Sequence, residues 1–516
     1  MRTTFNPSPI GPPSIGLIRA AVYNWALARH HGGRFVLRIE DTDLARGRQE
    51  YYEPLLEVLR WLGLDWDEGP DVGGPNGPYL QTQRRPLHLD VARQLQAAGE
   101  LYESFSTPEE VEQRNRAAGR HPRMGYDNAD RDLSEARKAA LRAEGRVPVL
   151  RLRMPSREVV YDDLVRGPMV LRLDATPDPV MVRANGDPTF TLANPVDDAL
   201  MGITHILRGE DLLASVPRHL GAYLALERIG VARFTPRFGH ISSVLDEQGR
   251  PLSRAVPDAA VLGYRDRGFL PEAMVNYLAS IGWTHPSAGE IFSAAELVEA
   301  FDPRRIKPRP VKLDTKKAAS MNTAHLRALD TERFTSALRS FATDTGVLPS
   351  RLDARQRRLL RRAAPLVRDR ARNLDEAAGL VAFLFQRDDS ISLQDEEIAS
   401  RVDRTALRAA AEILADVPEW TEETLQVQLK DGFGEDVAFA RAALTALRLS
   451  ITGRRVTLPL YESLVLLGRE SSLRRVGRAL GSPGEPAPGS GDRGPVGEPL
   501  PPGGCGTAPP RQCELV

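Results

Sequence analysis

"FNPSPIGPPSIGLIRAA" (Phe5–Ala21) follows the strand-like "RTTF" and carries Pro7, Pro9, Gly11, Pro12 and Pro13 before a periodic apolar run begins. In that run Ile15, Ile18, Val22 and Trp25 recur three, four and three residues apart, the spacing of one helix face. The helix should stop near "HHGG" (His30–Gly33), after which "RFVLRI" (Arg34–Ile39) reads as a buried strand running directly into the acidic cluster "EDTD" (Glu40–Asp43). Strand, loop, helix and strand in this order form the first unit of an open parallel sheet. Ligands of such sheets sit beyond the carboxyl ends of the strands, which gathers Ser8, Ser14 and Glu40 at one place. The exposed amides of Ser14 to Leu17 would attract an anion there. Ser14 also suits a plain structural role, because serine is a favoured helix N-cap.

Outward from this unit, residues from about Pro86 to Asp187 mix short helices with the strand-like "VPVLRLRM" and "EVVYDDLV", the pattern of an insertion into the sheet. Alternation resumes with "THILRGED" (Thr204–Asp211), a strand ending in charged groups. A third strand follows in "ARFTPRFGHISSVLDEQGRPLSRA" (Ala232–Ala255), succeeded by a Gly-containing loop. From Glu272 onwards the pattern is helical. From Gly481 the chain is rich in Pro and Gly without period, a composition that cannot bury enough apolar area to order itself, so a disordered tail is expected.

The chain has 516 residues, 41% of them hydrophobic, enough for about three or four structural units. It contains no long apolar run and no basic segment leading into one, so neither a membrane span nor a secretory leader is expected and a cytoplasmic location follows. The two cysteines, Cys505 and Cys513, both lie near the C-terminus, so the folded body offers no thiolate for zinc. With 69 basic and 69 acidic residues the net charge is zero, yet the basic residues cluster. "RLDARQRRLLRRAAPLVRDRAR" (Arg351–Arg372) sets nine arginines against two aspartates, and "RRIKPRPVKLDTKK" (Arg304–Lys317) adds seven positive charges. Each stretch reads either as a solvated helix face or as a phosphate-backbone contact.

The blocks "PSPIGPPSIGLIRAA", "GGRFVLRIEDTD", "WLGLDWDEGP", "GPYLQTQRR", "DDLVRG", "DPTFTLANPVDDALMGITHILRGED" and "GFLPEAMVNYLASIGW" stand in the order found in bacterial glutamyl-tRNA synthetases, and residues 1–480 resemble that family. The resemblance implies an α/β Rossmann-like class I synthetase catalytic domain with an inserted acceptor-binding subdomain, followed by an all-α anticodon-binding domain. Its boundaries would be a first catalytic half at 1–85, the insertion at 86–187, a second catalytic half at 188–255, a stem-contact helical region at 256–325, the anticodon-binding helices at 326–480 and the tail at 481–516. It implies a monomeric ligase of protein biosynthesis that uses ATP, Mg2+, L-glutamate and tRNA(Glu). The same fold would also suit a catalytically degenerate pseudo-synthetase that binds tRNA or a partner, or a paralogue that charges tRNA(Glu) for a specialised pathway.

Carried over residue by residue, the family's HIGH signature falls on Ser14, Ile15, Gly16 and Leu17, so serine replaces the histidine that stabilises phosphate charge. The lysine-containing closing loop falls on Pro251, Leu252, Ser253, Arg254 and Ala255. Arg254 keeps one positive charge there, Pro251 loses the other, and Arg250 stands adjacent. Ser14, Gly16 and Arg254 are thus the expected catalytic positions, and Asp211 and Val244 join them in contacting ATP. For glutamate the resemblance implies Ser8, Glu40, Phe190, Asn194 and Arg208, with Glu40 on the ammonium and Arg208 on a carboxylate. Thr4 stands where the family has a second arginine, and Phe190 where it has a tyrosine. Arg368, Arg370 and Arg372 fall in the anticodon-arm region. The zinc positions of some relatives fall on Ser104, Ser106 and Ala129, so no metal is expected there.

Overall fold

The structure, a computed structural model, describes residues 1–41, 49–252, 257–391 and 402–481. Asp43, the loop residues Ser253, Arg254 and Ala255, and the tail from 482 with its two cysteines lie outside the described residues. The chain forms two compact units, Met1–Phe385 and a second beginning at Gln386.

The first unit is built on the strand, helix, strand pattern of its N-terminus: β1 (Arg2–Phe5), α1 (Ile15–His30) and β2 (Arg34–Leu37). Ile15, Ile18, Val22 and Trp25 are all buried, so the periodic face of α1 is its core face. Ser14 caps α1 by accepting a hydrogen bond from Leu17 N at 3.4 Å. After the insertion come α2 (Phe190–Leu200), β3 (His205–Gly209), α3 (Val216–Arg228) and β4 (Arg237–Ile241). The four strands run parallel in the order β2-β1-β3-β4. Chain order reverses between β1 and β3, and a crevice opens at that point beyond the strand ends.

The crevice has a visible cause in the register. β1 pairs with β2 over all four residues, whereas β1 and β3 pair only at Thr3 and His205. Beyond that pair the strands part, and Leu207 needs other partners on that side. Asn24, fully buried on α1, supplies them: its Nδ2 donates to Leu207 O at 2.6 Å and its Oδ1 accepts from Leu207 N at 3.0 Å. One amide side chain thus stands in for a missing strand and keeps both backbone groups satisfied.

In the insertion the two strand-like segments belong to different sheets. Val149–Leu152 is the central strand between Leu101–Ser104 and Val180–Val182, and Glu158–Asp163 pairs antiparallel with Gly167–Arg172. The turn after this hairpin strand packs on β4, with Leu164 N donating to Phe238 O at 2.8 Å. Gly239 permits the approach, since a Cβ there would stand 3.1 Å from both Leu164 and Val165. Among the described residues from Glu272 the helical pattern is interrupted by one strand, Val311–Lys312, which pairs parallel with Val244–Leu245. The first unit continues past residue 325 because later helices are tied into it, Leu374 N donating to Gly268 O at 2.8 Å and Asn322 Nδ2 to Arg372 O at 2.7 Å.

Replacing Asn24 by leucine keeps the branched shape and strands both backbone groups of Leu207. The expected cost is about 2–4 kcal/mol, read as a lower urea midpoint; an unchanged midpoint would show that the strand gap tolerates unpaired groups.

Candidate active site

The loops leaving all four strand ends converge on one cavity of about 490 Å³, a size suited to a small-molecule substrate. Its wall includes Phe5 and Ser8 after β1, Glu40 after β2, Arg208 to Asp211 at the end of β3 and Ser242 to Val244 after β4, with Ser14, Gly16 and Arg19 contributed by α1. Of the expected site residues, Ser8, Ser14, Gly16, Glu40, Phe190, Arg208, Asp211 and Val244 all line it.

One end of the cavity carries two opposite charges. Glu40 accepts a hydrogen bond from Ser8, and its backbone N–H is fixed by Pro7 O at 3.0 Å. Burial pushes its carboxyl up to about 7, against the pull of Arg38 and Arg208. Arg208 donates through Nε to His240 Nε2 at 3.1 Å and through Nη1 to His219 Nδ1 at 3.1 Å, and its guanidinium stacks 4.5 Å from the centre of the Phe238 ring. Its Nη2 is buried and has no hydrogen-bond partner among the described residues. Burial lowers the basicity of both histidines, so Arg208 rests on neutral imidazoles and forms no ion pair among the described residues. Phe190 opens α2 and packs 5.3 Å from the His219 ring.

The other end is the start of α1. A Cβ placed on Gly16 would meet no protein atom within 4 Å, so the space over the first helical turn is open. Ser14 Oγ accepts from Leu17 N, which leaves its hydroxyl proton to donate. Arg19, buried in the same wall, donates through Nη1 to Ile281 O at 3.0 Å and through Nη2 to Ser242 O. It has no ion-pair partner among the described residues. Pro251 lines the cavity at the edge of the described loop, whereas Arg250 is turned back onto Asp246 at 2.8 Å.

Other expected residues are placed differently. Asn194 is buried off the cavity wall, with its Oδ1 taken by Arg38 Nη2 at 3.1 Å and Gln81 Nε2 at 2.7 Å. Thr4 faces into the sheet and donates to Val36 O at 3.3 Å. At the zinc positions of the resemblance, Ser104 Oγ and the amides of Phe105 and Ser106 all donate to the Asp130 carboxylate at 2.8–2.9 Å, so an internal hydrogen-bond cluster occupies the place. Arg368 donates to Leu329 O at 2.9 Å and Arg372 forms a two-point pair with Glu376, which leaves Arg370 the most available of the three. The more open basic surface lies on α4 (Ala354–Arg368), where Arg355, Arg358, Arg361 and Arg362 are exposed and form no ion pair among the described residues. Asn24, Arg19, His219, His240 and Asp163 have no signature in the sequence that marks them as neighbours of this site.

Residues 1–320 match the family model for the catalytic domain of class I tRNA synthetases (E and Q), and residues 333–480 match that for an anticodon binding domain. The architecture is therefore that of a class I aminoacyl-tRNA synthetase. The chain is 51% identical over 484 residues to a glutamate–tRNA ligase of Saccharopolyspora erythraea, covering 93% of this chain and 96% of the relative. It is 48% identical over 493 residues to that of Clavibacter sepedonicus, covering 94% and 97%. Among solved structures it resembles a glutamate–tRNA ligase from Elizabethkingia meningosepticum in complex with its amino acid, with TM-score 0.78 and 28% identity over 93% of this chain and 99% of that one. The chain belongs to the glutamate–tRNA ligase family.

The raised carboxyl of Glu40 has a consequence for stability. Its folded value of about 7 lies above the ordinary 4.5, so between those pH values the folded state holds a proton that the unfolded state releases, and stability falls as pH rises through that window. Glu40→Gln removes this dependence. The melting temperature of the variant should exceed that of the unmodified protein at pH 8 and the gap should close at pH 5; equal melting curves at both pH values would contradict the assignment.

Proposed function

We propose that this chain activates L-glutamate with ATP and transfers the glutamyl group to the terminal ribose of tRNA(Glu), acting as a cytoplasmic monomer. The observation that carries this reading is the polarity of this cavity: a carboxylate (Glu40) and a guanidinium without an ion pair among the described residues (Arg208) at one end, an open helix N-terminus at Gly16 at the other. Glu40 suits the substrate ammonium and Arg208 the side-chain carboxylate, so an acidic amino acid fits with both charges paired. Its α-carboxylate is then directed towards the start of α1, where amides and the Ser14 hydroxyl suit a triphosphate.

The chemistry needs no protein nucleophile. The α-carboxylate attacks the α-phosphorus of ATP, pyrophosphate leaves, and the tRNA hydroxyl then displaces AMP from the mixed anhydride. Catalysis here is positioning and electrostatic stabilisation by groups already in place. Among the described residues no group of three metal-ligating side chains exists. Mg2+ would arrive on the triphosphate, which suits an ion that keeps waters and takes few protein ligands; Asp211, on the cavity wall and without an ion-pair partner among the described residues, is the carboxylate that would hold it. Bound there, the ion would neutralise phosphate charge.

Charging of tRNA(Glu) with each amino acid, with ATP present and absent, tests this reading. Glutamate-specific, ATP-dependent charging is expected; ATP binding without charging would favour a tRNA-binding pseudo-synthetase. Ser14 and Pro251 supply no charge to the triphosphate, so Ser14→His and Pro251→Lys together should raise turnover at saturating glutamate by at least about tenfold. No gain would show that the helix amides and the neighbouring arginines already suffice.

Binding of tRNA should depend on the basic face of α4. Exchanging Arg355, Arg358, Arg361 and Arg362 for glutamate should weaken tRNA binding and flatten its dependence on log salt, while reversing Arg368 and Arg372, both engaged within the protein, should do less. The opposite ranking in filter-binding titrations would assign the anticodon arm to the second group.

A further inference from the structure

Arg208 is held in an unusual way for a buried guanidinium. A carboxylate would neutralise it, yet its two fixed N–H groups go to the imidazoles of His240 and His219, and Nη2 is buried without a hydrogen-bond partner among the described residues. Because Arg208 Nε must donate, His240 Nε2 must be unprotonated, and the ring proton sits on Nδ1, which donates to Asp163 Oδ2 at 2.5 Å. Asp163 belongs to the insertion, at the end of the hairpin strand Glu158–Asp163. Its other oxygen, Oδ1, accepts from three backbone amides: Val165 at 2.9 Å, Arg166 at 3.0 Å and His240 at 3.2 Å. These bonds hold the carboxyl at about 2, so it is ionised throughout the working range.

We propose that Asp163, His240 and His219 form a positioning array for the amino-acid pocket: they fix the guanidinium of Arg208 through neutral acceptors, so that it forms no ion pair with the described side chains and is left to pair with the side-chain carboxylate of the substrate. The inference rests on the reading of Arg208 as the carboxylate grip. Two histidines as acceptors orient the fork as firmly as acidic side chains would without cancelling its charge. Selectivity for a carboxylate over its carboxamide follows, because a neutral amide would leave a buried cation unpaired.

The array makes an unusual demand on one near-isosteric change. In Asp163→Asn the amide nitrogen cannot take the Oδ1 position, where three backbone N–H groups point at it. It must take the Oδ2 position and donate to His240 Nδ1. That moves the ring proton to Nε2, facing the N–H of Arg208, and the anchor is lost. His240→Leu removes the same anchor by deletion, whereas His240→Gln keeps an acceptor for Arg208 and a donor for Asp163.

The test measures KM for glutamate, KM for ATP and turnover in tRNA charging, together with the Kd of glutamate by calorimetry, for the full chain and the three variants. Asp163→Asn and His240→Leu should each raise the glutamate Kd and KM by about tenfold or more, the scale of a lost hydrogen bond to a charged group, with KM for ATP within about twofold; His240→Gln should restore most of the loss. Preference for glutamate over glutamine should fall in the first two variants and return in the third. If all three variants bind glutamate like the unmodified protein, or if ATP and glutamate constants worsen together, the array is structural only and the proposal is overturned. If the unmodified protein neither binds nor charges glutamate, the assignment of the pocket itself fails, and this inference with it.

Discussion

The structure depends on the parting of two parallel strands. β1 and β3 pair at one residue and then separate, and the cavity opens beyond the gap this leaves. Separation of paired strands normally strands backbone donors and acceptors, a cost that closes most such gaps. Here Asn24 bonds both the N–H and the C=O of Leu207, while Thr3 Oγ1 donates to the Asn24 carbonyl at 2.9 Å. α1 is thereby fixed to both strands at once, and its N-terminus is held over the opening. The position of Ser14 and Gly16 at the cavity is a consequence of that stitching as much as of the loop before them.

Much of this was legible in the sequence because it is local. Apolar spacing over Ile15–Trp25, a run of β-forming residues ending in Glu40, and a loop of prolines and glycine specify strand, helix and strand within forty or so residues. The site residues that lie at strand ends were found for the same reason, since a parallel sheet puts all its carboxyl ends on one edge. What was not legible is long-range. Nothing near His240 indicates that a carboxylate 77 residues earlier fixes its tautomer, and nothing near Arg19 indicates that Ile281 and Ser242 carbonyls receive its donors. Asn194 illustrates the converse: motif position directs it at the substrate, yet Arg38 and Gln81 occupy its oxygen. Arginine counts in Arg351–Arg372 likewise measured charge without showing how much of it is spent inside the protein, as Arg368 and Arg372 spend theirs.

The charged groups divide into two layers by the kind of partner they have. Behind the cavity, Arg38 pairs with Asp198 at 2.8 Å, Arg84 with Asp197 at 2.6 Å, and His88 and Gln81 also reach Asp197. Cations and anions there cancel within a few ångströms, and the bonds hold Asp197 down to about 2. That layer braces α2 and the loop before the insertion, and Arg38 still reaches the cavity by pulling on Glu40. On the wall itself Arg19 meets carbonyls, Arg208 meets imidazoles and Glu40 has a hydroxyl, while Glu210 alone of these lining groups is paired with a cation, Arg166. A neutral acceptor removes a donor's desolvation cost without removing the charge. Arg19, Arg208 and Glu40 thus reach the cavity without an ion pair among the described residues, and a ligand that carries the opposite charges supplies the direct partners that the protein withholds.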